Sequence, residues 1–188
     1  ITICVILILA VIFGVGNCIQ LNRSFESSVI REQKNIYATY QMLIYALDAI
    51  DVTDTPTSYA NMHNAIYQLD AQGGRWLALR LKCGNRVIYN SQGEVPFLNE
   101  LEKKTALNQC SMQTFLQGED WYLQLTGRFL LGSSSYMLDA IYPLQELYQT
   151  REIQLHNYYL AFVSIILLGT LMSWVISRWL TGPLETLS

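Results

Sequence analysis

The polar and apolar positions of this chain divide it into two uncharged apolar ends and a patterned middle. Residues Ile1–Ile19 read ITICVILILAVIFGVGNCI without a charge. Residues Asn157–Ser177 read NYYLAFVSIILLGTLMSWVIS, 21 residues, against the roughly 20 that span hydrocarbon as a helix. Tyr158 and Tyr159 lie at one end of the second run and Trp174 and Trp179 at the other, as aromatic residues do at membrane interfaces. From Gln20 to Asp51 there is neither Pro nor Gly, and Ile36, Tyr40, Leu43, Leu47 and Ile50 recur at spacings of 4, 3, 4 and 3. That spacing predicts a helical stalk continuous with the first run. Asp51-Val-Thr-Asp-Thr-Pro56 stops it. Thr55 then caps a second helix with Pro56 at its first position. Its stripe is Tyr59, Met62, Ile66 and Leu69, and it ends at Gly73-Gly74.

The period then changes to two. Leu77, Leu79, Leu81 and Cys83 alternate with Ala78, Arg80 and Lys82, Gly84-Asn85 is a two-residue hairpin signal, and Arg86–Ser91 returns as a second strand. A short helix is expected over Leu98–Asn108. Three more strands follow, Cys110–Leu116, Trp121–Phe129 and Tyr136–Tyr142, with turns at Gln117–Asp120 and Gly132–Ser135. After Pro143 a helix is expected to run unbroken to about Leu180, with Leu144, Tyr148, Leu155, Tyr158, Phe162 and Ile165 on one stripe. The fold class expected is an α+β membrane protein, with two transmembrane helices bracketing a small domain built on a five-stranded antiparallel sheet and long stalk helices. Its parts are a first span at 1–19, an outer domain at 20–156, a second span at 157–180 and a linker from 181 to 188.

Composition agrees with that division. Of 188 residues 51% are apolar and 14% charged, about half the charge of an ordinary soluble domain. The net charge of −3 gives no electrostatic case for nucleic-acid binding. Eleven basic and 14 acidic residues fall between the runs. The bracketed Gln20–His156 is too long for the charge rule to orient, but Arg178 places the C-terminal end inside and Gln20–His156 outside. The alternative for the first run is a cleaved signal peptide ending near Gly14, Gly16 and Asn17, or a lipoprotein signal at Cys18. For the second it is a core helix of a soluble protein. The chain opens within an apolar run and without Met, and is read as a piece of a longer protein.

No nucleotide-binding, zincin, redox or esterase motif is present, so no catalytic residue and no metal ligand set is assigned. Asp48, Asp51 and Asp54 are three apart and offer oxygen ligands for a divalent cation, or simply a solvated helix end with a cap. His63 reads as a pH sensor or a plain surface histidine, and His156 as an interfacial contact. Cys83 and Cys110 are a possible disulfide if they face an oxidising compartment. Cys4 and Cys18 lie in or beside the membrane.

The stretches RWLALRLKCGNRVIYNSQG and YMLDAIYPLQELYQTREIQLHNYY resemble the first hairpin and the last strand with outgoing helix of the sensor region of bacterial transmembrane histidine kinases. The five-strand layout is similar to the extracellular PAS-like, or Cache, fold. SRWLTGPLETLS resembles the opening of a HAMP linker, with Pro183, Leu184 and Leu187 on its pattern and Gly182 where a basic residue is usual. The resemblance implies a two-component sensor in the cell membrane: a homodimer in contact with lipid, an unknown extracellular ligand or protein outside, and a cognate response regulator. It implies a kinase domain, with ATP and Mg, beyond residue 188, and no cofactor within this chain. A ligand held on one sheet face would draw on Arg80, Tyr89, Trp121, Tyr122, Arg128, Tyr136 and Asp139. Pro143 and Pro183 would bound the relay helix. It also implies that strands one and three are not neighbours, which counts against a Cys83–Cys110 bridge. A chemoreceptor or cyclase receptor shares such an outer module, and a non-signalling membrane adaptor is the third reading.

Overall fold

The computed structural model describes residues 2–50, 55–72, 74–91, 93 and 95–185, with side chains from Val11 to Trp179. Two compact units emerge: Ile30–Tyr148, and Ile1–Val29 with Gln149–Ser188.

The first unit holds the sheet. Helix α1, Thr2–Asp48, enters it at Ile30. Helix α2, Pro56–Ala71, starts as expected: the Thr55 side chain accepts from the Ser58 N–H and Pro56 occupies the first turn, where its missing N–H costs nothing. The strands are β1 (Ala78–Cys83), β2 (Arg86–Asn90), β3 (Gln109–Gln117), β4 (Asp120–Leu131) and β5 (Ser134–Pro143), with α3 (Asn99–Lys104) between β2 and β3 and α4 (Gln145–Glu185) after β5. They form one antiparallel sheet in the order β2-β1-β5-β4-β3. The short third helix differs from the expected Leu98–Asn108. Thr105 leaves the helical region at ψ 114 and Asn108 takes φ 56, a left-handed conformation that Asn tolerates better than most residues, so the chain turns into β3 instead.

Period-two alternation assigns the two faces of the sheet. On one face Leu79, Leu81, Leu123, Leu125, Leu138 and Ala140 are buried with Ile36, Tyr40, Leu43 and Leu47 of α1 and Met62 and Ile66 of α2. The α1 stripe is thus taken up by the chain's own sheet. A half-buried helix finds the nearest complementary apolar face, and here that face belongs to the same chain. Tyr40 lies so close to β4 that a Cβ at Gly127 would overlap its phenol ring. Gly127→Ala is therefore expected to cost about 1–3 kcal/mol through overpacking, read as a lower urea midpoint at unchanged slope.

The second unit is helical. The Tyr158 hydroxyl donates to the Gly14 carbonyl at 2.9 Å, and the Phe162 ring lies over Gly14, 3.1 Å from where a Cβ would sit. The Arg151 guanidinium lies 4.5 Å from the Phe25 ring centroid, a cation–π contact. Among the described residues, α4 over Gln145–Trp179 is the one helix long and apolar enough to cross a membrane.

Candidate functional site

The polar chemistry of the sheet unit gathers on its other face, under α3 and the segment leading into it. Arg80 and Lys82 stand two apart on β1, so both point to this face. The ladder places Arg80 opposite Asp139 on β5 and Asp139 opposite Thr126 on β4. Asp139 is fully buried. Its Oδ2 accepts from Arg80 Nε at 3.0 Å and Nη2 at 2.7 Å, and its Oδ1 accepts from the Thr126 hydroxyl at 2.7 Å. Gln124, two residues from Thr126, donates to that hydroxyl at 3.1 Å and holds both backbone groups of Leu98, at 2.6 and 3.3 Å.

Glu102 of α3 completes the cluster from above. Its carboxylate accepts from Arg80 Nη2 and, at 2.7 Å, from Lys82 Nζ. Its backbone carbonyl accepts from Arg128 Nη2 at 3.3 Å. The Arg80 guanidinium also lies 4.1 Å from the Phe97 ring centroid. Two cations, Arg80 and Lys82, thus face two carboxylates, Asp139 and Glu102. Burial raises the Asp139 carboxyl above the usual carboxylate range, against the opposing pull of the Thr126 hydrogen bond and the Arg80 guanidinium, while Glu102 adds to the rise. What the arrangement offers chemically is a charge-assisted grip on a carboxylate.

Of the seven residues grouped as ligand-binding, the structure brings together Arg80, Arg128 and Asp139. Tyr122 shares their face but packs at the far end with Phe115. Tyr89, Trp121 and Tyr136 belong to the opposite face: Tyr89 pairs in register with Leu81 and Tyr136 with Phe129, both of the helix-covered core, and Trp121 packs against that core. The Tyr89 hydroxyl donates to Asp70 of α2, which also accepts from Trp76 Nε1 at 2.5 Å. Tyr136 is 1% exposed and stacks on Phe129. Lys82, Glu102, Gln124 and Thr126 were not foreseen. The first, third and fourth lay in the strand alternation as polar residues at i, i+2 of a site residue or of each other. Glu102 had no sequence signal.

Trp121 has a different place. Its backbone N–H donates to the Gln145 side chain at 3.2 Å, and its carbonyl accepts from Leu144 N at 2.8 Å. Its ring stacks on Tyr148, with centroids 4.5 Å apart and planes 4° from parallel. Pro143 ends β5 opposite Tyr122, and α4 begins two residues later, so Trp121 clamps the junction of strand and helix. Pro183 lies within the last turn of α4.

The Cys83–Cys110 disulfide is not formed. Both thiols are free, because β5 and β4 intervene between β1 and β3. Three strand spacings are about 14 Å, and a bridge needs Cα atoms within about 7 Å. Cys18 is free and exposed. Among the described residues no group of three or more His, Cys, Asp or Glu could hold a metal ion; Asp51 and Asp54 lie outside them, with Gly73, Gln92, Leu187 and the side chains of Cys4, Pro183 and Leu184. His63 is exposed and stacks on Tyr67, and His156 is exposed on α4.

No known family model matches the chain, and no curated protein matches it significantly.

Proposed function

We propose that this chain is the input region of a membrane-anchored sensor, in which the sheet unit lies outside the cell and α4 carries its state across the bilayer. The observation that carries the reading is the junction at Trp121. A sheet strand holding the buried Asp139 passes within two residues into the helix apolar enough to cross a membrane, and Trp121 fixes the joint through two backbone hydrogen bonds and a stacked ring. A joint held at three points transmits a displacement that a flexible linker would absorb. The uncharged run Ile1–Ile19 supplies the second span, so that two helices of each chain cross the bilayer and both ends lie inside. The resemblance of the sensor hairpin, the outgoing helix and the Gly182-Pro183-Leu184 tail to transmembrane histidine kinases makes a phosphorelay kinase the output. A homodimer is its working form.

Topology is the first test. In a cysteine-free background, Ser133→Cys at the exposed β4–β5 turn is expected to react with a membrane-impermeant maleimide in intact cells. Labelling that requires permeabilised cells would overturn the outside placement.

A further inference from the structure

Glu102 is the one carboxylate of the polar cluster that does not belong to the sheet. It reaches Arg80 and Lys82 from α3, a helix of six residues, far below the roughly 12–15 at which an isolated helix becomes even marginal. Tertiary contacts hold α3 in place: buried Leu101, the Gln124 grip on Leu98, the Arg128 bond and the Glu102 carboxylate itself. Without Glu102 the sheet would present Arg80 and Lys82 against Asp139 alone, an excess positive charge at a half-buried site. Buried or half-buried cations are retained only when paired. The Glu102 side chain is 20% exposed, so solvent reaches the position it fills.

We infer that Glu102 is an internal stand-in for a small external carboxylate, which binds Arg80 and Lys82 in its place and releases α3 from the sheet. This rests on the sensor reading and names the ligand class for its outer face. Arg80 supplies directional donors and Lys82 a point charge, a pairing suited to one carboxylate at the sheet. A tethered competitor acts at an effective concentration in the millimolar range, so the wild-type chain binds a free carboxylate weakly until that competitor is removed.

The test titrates malonate into the full chain in lipid nanodiscs by calorimetry, with chloride at matched ionic strength as the control. Glu102→Gln, which keeps shape and removes the charge, is expected to bind malonate at least about tenfold more tightly than wild type. Saturating malonate is expected to speed amide hydrogen exchange across 98–108 in the wild-type chain. Arg80→Gln is expected to abolish binding. Should that variant fail to fold, Arg80→Lys keeps the charge, loses the two-pronged geometry and is expected to weaken binding at least about tenfold. Equal affinity of wild type and Glu102→Gln, or no binding by either, would overturn the inference. Neither result touches the labelling of Ser133→Cys, so the sensor reading stands or falls separately.

Discussion

Asp139→Ala is expected to destabilise the sheet unit by about 3–5 kcal/mol, the usual cost of removing one partner from a buried ion pair. The change strips Arg80 of a two-pronged partner and Thr126 of its acceptor at 2.7 Å. It also leaves a half-buried guanidinium dependent on Glu102 alone. The loss should appear as a lower urea midpoint for the whole unit, since β1, β4 and β5 are joined through this residue. Replacing both partners by apolar residues, Arg80→Met with Asp139→Leu, should recover most of it. If the single and double variants are equally unstable, the pair is not the source of the loss. Asp139 also gives the stability a pH dependence of known sign. Its folded-state pKa is raised, mainly by burial, so folding favours the protonated form. That contribution is fully present below the usual carboxylate range and is lost as pH rises through the folded-state value. Relative to Asp139→Asn, the wild type should therefore lose stability from the usual carboxylate range upward and level off above the folded-state value. A flat difference across that window would contradict the raised pKa.

On the sensor reading, two glycines inserted after Glu152 are expected to abolish the response to the external signal. Helix α4 runs unbroken over Gln145–Glu185, which at 1.5 Å per residue is about 60 Å. The insertion leaves the Trp121 joint and the apolar run Asn157–Ser177 intact. It shifts the register between them by more than half a turn and adds about 1 kcal/mol of helix cost per glycine. Basal output and membrane insertion should persist. A response of unchanged size and sensitivity would show that α4 is an anchor only and would remove the relay from the sensor reading.

Much of the fold was written in local pattern. Period-two runs marked all five strands to within two or three residues, and Gly84 at φ 56 closes the hairpin that Gly84-Asn85 announced. Thr55-Pro56 started α2 where it starts, and the 4-3-4-3 spacing of α1 named four of its buried residues. These features are legible because capping, turn conformation and amphipathic period are each fixed within a few residues of chain. Local pattern could not say what would cover each apolar face. The α1 stripe suited another helix as well as it suits a sheet, and it was the sheet's own leucines that took it.

The site was decided by pairings far apart in sequence. Alternation alone put Arg80 with Lys82 and separated Tyr89 from Asn90. It could not tell which face of β1 matches which face of β5, because a shift of one residue exchanges them. The ladder that sets Arg80 against Asp139, 59 residues away, put Tyr89, Trp121 and Tyr136 among the core or at the helix joint and left Arg80, Arg128 and Asp139 together. Glu102 came from α3, a helix the sequence placed within Leu98–Asn108 but gave no partner. The amphipathic elements and the apolar runs were thus determined by the sequence itself, since they depend on near neighbours. Strand order, register and the covering of each face were decided by the tertiary structure, since burial and charge pairing are satisfied only across the whole sheet.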